Sequence, residues 1–359
     1  MTEPSANKEP SADKEPSADK QPSAHSKKIL VTGASGFIGS HCILDLLQNG
    51  YRVRGTIRNL DRAQELRAMF AKHHENAHEI EFVSTNLMSA DGWAEAMVDC
   101  DGVFHVASPV PTIQPKDPAE VIEPARQGTL NVLAAARTTG IKRVVLTSSV
   151  AAVQGSVKAR EYTYTSEDWS DPADADLTPY AASKTVAEKA AWQFVSEGGP
   201  ELATINPGMV LGPALETDYG SSLEVLYKLL SGEVPMAPKL GFEIVDVRDV
   251  AALHRLAFEH PEAMGQRFLC GAGFRWFIDI AKVLQSEFPD QKKIPGREMP
   301  NFLARIFAIF VKEIASFIND LGVTKKLDCT PAIDIGWRPR SPEEAVVAGA
   351  RSLIELGVV

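Results

Sequence analysis

The sequence predicts a doubly wound α/β fold: a parallel sheet covered by helices on both faces, with a smaller C-terminal lobe. Three observations carry that prediction. Apolar runs of strand length alternate with helical stretches from Lys27 to Asn206, the pattern of right-handed βαβ crossovers. A glycine-rich turn occupies the first strand-to-helix junction. Beyond Asn206 the alternation loosens into Pro, Gly and longer loops. At 359 residues, 44% apolar and 23% charged, the chain has the material for a large core and a second lobe.

Taken in order, residues 1–26 are a decaying six-residue repeat, from EPSANK at Glu3 through two copies of EPSADK to QPSAHS at Gln21. Each unit offers one Ala as apolar surface and one Pro that interrupts helix, so the segment reads as a disordered tail. The ordered pattern starts at Lys28-Ile29-Leu30-Val31-Thr32, a run suited to a strand buried on both faces. After the glycines, a helical pattern passes through Ile43, Leu46 and Leu47 and closes at Asn49-Gly50, an ordinary helix stop. Arg52 to Ile57 is the second strand, and a polar helix begins near Asp61. Further strands are expected at Ile80 to Ser84, Val103 to Ala107, Val144 to Thr147 and Leu202 to Ile205.

Residues 207–359 are expected to form mainly the smaller lobe, with segments crossing back to the main sheet. There, Ile244 to Val250 reads as a strand with a helix N-cap running into Ala251 to Phe258. Leu215 to Leu230 is a candidate for pocket lining, as is a Phe-rich helical spacing from Asn301 to Leu321. Arg305, Lys312 and Glu313 interrupt that second stretch, which excludes a membrane span.

Composition removes several function classes. A formal net charge of −10 opposes nucleic acid and anionic membranes at long range. No run reaches the ~18 uncharged apolar residues of a spanning helix, and no secretory signal is expected at the N-terminus. Cys42, Cys100, Cys270 and Cys329 are scattered without a CxxC, so the reading is a reducing, cytoplasmic setting without disulfides or zinc knuckles. No seam announces an oligomeric state. His74-Glu75-Asn76-Ala77-His78 formally matches HExxH, the zinc-peptidase spacing. It falls two residues before a strand, where a helix must have ended, and Glu81 and Ser84 stand where the longer metal pattern wants Gly and His. A polar surface connection is the simpler reading, and no metal is expected.

The chemistry concentrates in three places. Gly33-Ala34-Ser35-Gly36-Phe37-Ile38-Gly39 joins the first strand to the first helix. Glycines permit a tight turn and close backbone approach. The helix N-terminus beyond offers unpaired N–H groups and partial positive charge to a pyrophosphate. In a first βα unit this points to a dinucleotide and makes 27–206 its binding domain. An NAD site places Asp or Glu after the second strand to hold the ribose hydroxyls. Here Thr56-Ile57-Arg58-Asn59 stands there, with Arg62 one helical turn on. Two guanidinium groups suit a 2′-phosphate, so the expected cofactor is NADPH/NADP+.

Thr147-Ser148-Ser149 ends the fifth strand, at the edge where open parallel sheets bind ligands. Tyr180-Ala181-Ala182-Ser183-Lys184 opens a helix, and the i,i+4 spacing stacks Tyr180 and Lys184 on one face. The ammonium favours the phenolate that remains after proton donation. Tyr180 is thereby a general acid for the oxygen of a carbonyl that receives hydride. The Ser149 hydroxyl is placed to hold that oxygen as charge develops.

Together these pieces resemble the extended short-chain dehydrogenase/reductases, and within them the branch of dihydroflavonol reductases and ketone or methylglyoxal reductases. The carrying motifs are VTGASGFIGSH (31–41), GTIRN (55–59), VFHVASPV (103–110), GTLNVL (128–133), VVLTSSVAAV (144–153), PYAASKTVAEKAAW (179–192), INPGMVLGP (205–213) and VDVRDVA (245–251). GWRPRSPEEAV (336–346) closes them, and the resemblance covers roughly residues 27 to 357. It implies a Rossmann sheet and NADPH-dependent reduction of an aldehyde or ketone to an alcohol. Ser149, Tyr180 and Lys184 become the catalytic set, with Lys184 also gripping the nicotinamide ribose. The backbone at Phe37 and Ile38 meets the pyrophosphate, and Val106, Ala107 and Ser108 line the cofactor cleft. Pro207 and Val210 form the nicotinamide face.

Departures sharpen the reading. Asn86-Leu87 stands where the family usually has Asp-Leu against adenine, and Gln154 where plant flavonoid reductases tend to carry Asn. The NWYCY signature of cinnamoyl-CoA reductases is absent around Tyr180. Both features argue against a plant phenylpropanoid substrate. Pro109, Gln154 and Tyr162 are the candidate substrate contacts. Tyr162, with Tyr164 and Trp169, either walls a pocket or covers the sheet end. Such a lining suits a hydrophobic or aromatic carbonyl compound.

Two rivals keep the fold. A nucleotide-sugar epimerase or dehydratase would retain tightly bound NAD, and dehydratases typically set Asp-Glu where this chain has Val150-Ala151-Ala152. A non-catalytic dinucleotide sensor can dispense with the Tyr180–Lys184 pair.

Overall fold

The computed structural model describes residues 27–109, 117–307 and 318–359. The repeat tail, with its expected disorder, and part of the Phe-rich stretch lie outside the described residues.

The chain first forms β1 (Lys28–Thr32), α1 (Phe37–Gln48), β2 (Arg52–Ile57), α2 (Ala63–Ala71), β3 (Glu81–Ser84), α3 (Trp93–Met97) and β4 (Gly102–His105). Next come α4 (Ala119–Thr139), β5 (Arg143–Thr147), α5 (Ala151–Gln154), β6 (Glu161–Tyr164), α6 (Pro179–Ser196) and β7 (Glu201–Pro207). The C-terminal part holds β8 (Met209–Leu211), α7 (Glu224–Ser231), β9 (Ala237–Pro238), β10 (Gly241–Asp246), α8 (Val247–Glu259), β11 (Arg267–Cys270) and β12 (Gly273–Trp276). It ends with α9 (Phe277–Glu287), β13 (Glu298–Met299), α10 (Asn301–Phe307), β14 (Thr324–Leu327), α11 (Thr330–Asp334) and α12 (Pro342–Glu355).

Seven strands make one sheet in the order β11-β7-β5-β4-β1-β2-β3, and every neighbouring pair is parallel. The doubly wound reading holds. The strand order turns around β1, which pairs β2 on one side and β4 on the other. A crevice opens at the carboxyl ends of the strands at such a switch point.

Both faces are covered, which is why β1 reads as an unbroken apolar run. On one face α1 packs on α8, in a core with Ile43, Leu46, Val250 and Leu253. On the other α4 packs on α6, around Trp93, Val132, Ala136 and Ala191. Each large apolar side chain so buried contributes about 1.5–3 kcal/mol.

The C-terminal part builds a second core under the sheet β12-β10-β8. Here the expectation for Leu215 to Leu230 needs correcting. Leu223, Leu226, Leu229 and Leu230 are at most 1% exposed and fill this core, where α12 packs on α7 and α9. They chiefly hold the lobe together, while Tyr227 and Leu230 also border a cavity with Asp290, Lys293 and Val359. The strand expected over Ile244 to Val250 is also shorter. Asp246 ends it by accepting from the Arg248 N–H (2.9 Å), which caps α8 four residues before Ala251.

Residues Glu75–Glu79 form a 3₁₀ turn, so the helical face that HExxH chemistry needs is not made. Nδ1 of His74 accepts from the Asn76 N–H (3.1 Å) and so caps that turn. Among the described residues no helix is long and apolar enough to cross a membrane.

Candidate active site

The glycine turn is shaped by close approach. Gly33 has φ +70°, which L side chains rarely adopt, and a Cβ on it would lie 3.1 Å from the Ala107 Cα. A Cβ on Gly39 would meet the Gly33 carbonyl oxygen at 2.2 Å. Only glycine lets α1 start so near β1. Gly36 caps the helix without a side chain, and its N–H donates to the Gly33 carbonyl (3.0 Å). The N–H groups of Phe37, Ile38 and Gly39 precede the first helical bond at the turn, from Ser40 to Gly36 (2.9 Å). With no acidic residue in that first turn, the three amides present a cradle for an anion.

Thr32 ties this turn to the end of β4. Its Oγ1 accepts from the N–H groups of Val106 (3.0 Å) and Ala107 (2.9 Å). Its own proton therefore goes to Nδ1 of His105 (2.9 Å). Burial and the nearby Lys184 push the His105 pKa down to about 3, consistent with a neutral ring that accepts. Val106, Ala107, Ser108 and Pro109 follow as a half-buried strip.

Beyond the end of β2, Arg58 is exposed and lines a polar cavity of about 490 Å³ with Ser84, Thr85, Asn86, Ser89 and Asp91. The Asn86 Oδ1 accepts from the Met88 N–H (3.0 Å), which leaves its amide donors to present. Leu87 serves as scaffold: its side chain lies against Gly128 and its carbonyl accepts from the Asn131 Nδ2 (2.8 Å). Arg62 donates from Nη2 to the Glu216 Oε2 (2.6 Å), so of the two expected guanidinium groups Arg58 faces the open cavity.

The surroundings of Ser149, Tyr180 and Lys184 are far more enclosed. Ser148 N–H donates to the Ile205 carbonyl (2.8 Å) and Val150 N–H to the Pro207 carbonyl (3.0 Å). These bonds carry the β5–β7 pairing past Thr147 and fix Ser149 between them. The Thr178 hydroxyl oxygen accepts from the Ala181 N–H (3.2 Å) and Pro179 opens α6, both favoured at helix starts. Tyr180 is half-buried and Lys184 buried. The Lys184 Nζ stands 5.9 Å from the Tyr180 ring centroid, so the two share a face as their spacing requires. Packing of α5 on α6 brings the Ser149 corner to that helix.

Sequence reasoning missed the network beneath this set. Glu188, one turn beyond Lys184, is 1% exposed. Its Oε2 accepts from the Ser148 hydroxyl (2.5 Å) and the Asn206 amide (2.7 Å). Its Oε1 accepts from the Arg267 Nε (2.7 Å), with the Thr204 hydroxyl at 3.1 Å. The Asn206 amide also donates to the Ser149 carbonyl (3.2 Å). A charged residue on the Ala-rich buried face of α6 was the available signal.

The substrate candidates divide. Gln154 ends α5; its carbonyl accepts from the Lys325 Nζ (3.1 Å), while its Oε1 is buried without a partner. Tyr162 meets Tyr164 edge-on at 4.7 Å, in a small cluster with Val153 and Leu269, as a residue covering the sheet end does. Trp169 stacks under the Arg267 guanidinium at 3.6 Å. Pro207 and Val210 are both buried, and the half-buried Gly208 and Met209 between them carry the exposed surface of this segment.

Residues 29–271 match the NAD dependent epimerase/dehydratase family. Cinnamoyl-CoA reductase 1 of Petunia hybrida is 40% identical over 268 residues, 73% of this chain and 78% of its own. An uncharacterized oxidoreductase of Schizosaccharomyces pombe is 35% identical over 349 residues, 92% of this chain and 97% of its own. The solved structure of yeast methylglyoxal/isovaleraldehyde reductase Gre2 complexed with NADPH aligns with a TM-score of 0.75 at 26% identity, covering 92% of this chain and 100% of that chain. The chain belongs to the NAD dependent epimerase/dehydratase family, that is, to the extended short-chain dehydrogenase/reductases.

Proposed function

We propose that this protein, an NADPH-dependent carbonyl reductase, acts on a hydrophobic or aromatic aldehyde or ketone through Ser149, Tyr180 and Lys184. One observation carries the reading: Tyr180 and Lys184 share a helix face beside the Ser149 corner, at the carboxyl end of β5 in the parallel sheet. The cofactor fits the residues present. A cradle that a Cβ would fill lies at Gly33 and Gly39, and three helix-start amides offer themselves to its pyrophosphate. Arg58 would hold the 2′-phosphate, Asn86 the adenine and Lys184 the nicotinamide ribose.

Bound NADPH supplies the hydride to the carbonyl carbon. As the π-electron pair moves onto oxygen, Tyr180 gives its phenolic proton to that atom and Ser149 donates a hydrogen bond to it. The alcohol forms, and the tyrosine regains its proton from solvent. Lys184 lowers the cost of the transient phenolate.

The Petunia relative is a cinnamoyl-CoA reductase, yet this chain lacks NWYCY at Tyr180 and has Gln154 beyond the catalytic serine. We therefore infer a substrate outside plant phenylpropanoids. All four cysteines are unpaired, which supports a reducing, cytoplasmic setting.

The test is dinucleotide consumption by the full chain against aliphatic, aromatic and α-dicarbonyl compounds, with NADPH and NADH in parallel. The expected result is carbonyl-dependent oxidation of NADPH, strongest on apolar substrates. Tight binding without turnover on any carbonyl overturns the reading in favour of a nucleotide-sugar enzyme or a sensor.

A further inference from the structure

The loop after β8 lies against the start of α1, beside the glycine turn read above as the pyrophosphate site. A Cβ on Gly220 would lie 3.4 Å from the Phe37 Cβ, and Leu215 packs on the core that Phe37, Ile38 and Ala63 also join. The loop therefore spans from the start of α1 towards the start of α2. From it Glu216 reaches Arg62, across 154 residues of sequence, and accepts from Nη2 at 2.6 Å. The pair is partly shielded, with side chains 34% and 20% exposed. The second oxygen of Glu216, Oε1, is buried without a hydrogen-bond partner. Burial and the neighbouring Asp218 and Glu65 hold its carboxyl above the usual carboxylate range, against the pull of Arg62.

We propose that Glu216 is a specificity-determining residue, which holds Arg62 in place of the 2′-phosphate and yields it when NADPH binds. The proposal rests on the reading of Arg58 and Arg62 as the 2′-phosphate site. A phosphate dianion is a stronger partner for a guanidinium than one carboxylate. Arg62 therefore moves to it, leaving Glu216 as a negative charge facing the phosphate. That residual repulsion weakens NADPH and speeds its release after turnover. NADH carries no group that competes, so its binding leaves the pair in place.

The test is fluorescence titration of the intact chain and its variants with NADPH and with NADH. Glu216→Gln keeps the shape and removes the charge; it tightens NADPH about three- to tenfold and leaves NADH unchanged. Arg62→Ala weakens NADPH, and adding Glu216→Gln to it recovers part of that loss, because the repulsion between carboxylate and phosphate is relieved in that background too. If Glu216→Gln weakens NADPH, or shifts both dinucleotides equally, the pair only braces the loop and the proposal is wrong. Arg58→Ala separates the two levels. Equal losses for NADPH and NADH in that variant mean that the 2′-phosphate reading itself has failed. A loss confined to NADPH, with Glu216→Gln silent, sinks the proposal alone.

Discussion

The two ends of the groove are held in opposite ways. At the end proposed for the nicotinamide, Glu188 gathers Ser148, Asn206 and Arg267 into a buried network. At the end proposed for the adenosine, Arg58 stands exposed on an open cavity and Arg62 pairs with Glu216 from the distant loop and with Glu65, three residues on. Buried hydrogen bonds reinforce one another in a low dielectric, and losing one strands the rest. Exposed ion pairs are screened and cheaply exchanged. The contrast follows from what each end must do. Hydride and proton transfer need atoms fixed to a fraction of an ångström, whereas a cofactor that leaves after each turnover needs contacts that release.

The largest expected effect lies at the fixed end. Tyr180→Phe removes the proton donor and little else. Turnover falls at least about a thousandfold, while NADPH affinity measured by titration stays within about twofold, since dinucleotide recognition rests on other residues. Turnover surviving in this variant breaks the comparison, because the rigid end then does not contain the acid.

Glu188→Gln tests whether the network sets that rigidity. It keeps the size of the side chain and leaves the Arg267 charge buried and uncompensated. Breaking such a pair costs about 3–5 kcal/mol of stability, read by urea unfolding. At a temperature where the variant is folded, kcat falls about tenfold or more with NADPH affinity nearly unchanged. An equal loss in both ends means that the network is a general staple of the sheet.

Arg58→Ala probes the exposed end. NADPH weakens about 10- to 100-fold, NADH hardly at all. Raising salt shrinks the difference. A salt-independent effect places Arg58 in a drier site than its exposure shows.

What was legible in the sequence follows the same division. The glycine turn and the Tyr180–Lys184 pair are local patterns, complete within one turn or one helix, so spacing together with their place in the strand–helix alternation marks them as candidates. The Glu188 network joins residues 40 and 79 positions apart through the order β11-β7-β5, which no local pattern encodes. Leu223 to Leu230 showed a buried periodicity but not what buries it, so the share of these leucines that packs the core was not separated from the part that borders a cavity. Asp246 was hidden in a strand-like run because its capping bond is made by the next residues, not by composition. Glu216 lies in an irregular loop, where spacing carries no geometry.

Protonation offers the gentlest test, since it acts where both ends meet. His41, His105 and His254 are pushed down to about 4, 3 and 4, in each case chiefly by burial. Folded pKa values below the ordinary 6.5 mean that the unfolded chain takes up protons first as pH falls. Stability from these rings is full above about pH 6.5 and is lost between there and about pH 4, at about 1.4 kcal/mol per pH unit for each. Glu243, raised to about 7 by burial, works in the opposite sense. It takes a proton in the folded state between about pH 7 and 4.5 and offsets roughly one histidine. His105→Asn isolates one contribution, because the Asn Oδ1 stands near the place of Nδ1 and still accepts from Thr32. Urea unfolding then shows a slope smaller by about 1.4 kcal/mol per pH unit below about pH 6, with little change at pH 7.5. An unchanged slope contradicts the neutral, accepting imidazole at His105. Thr32 would then lack a partner for its proton, and the tie between the glycine turn and the Ala107 strip would need another explanation.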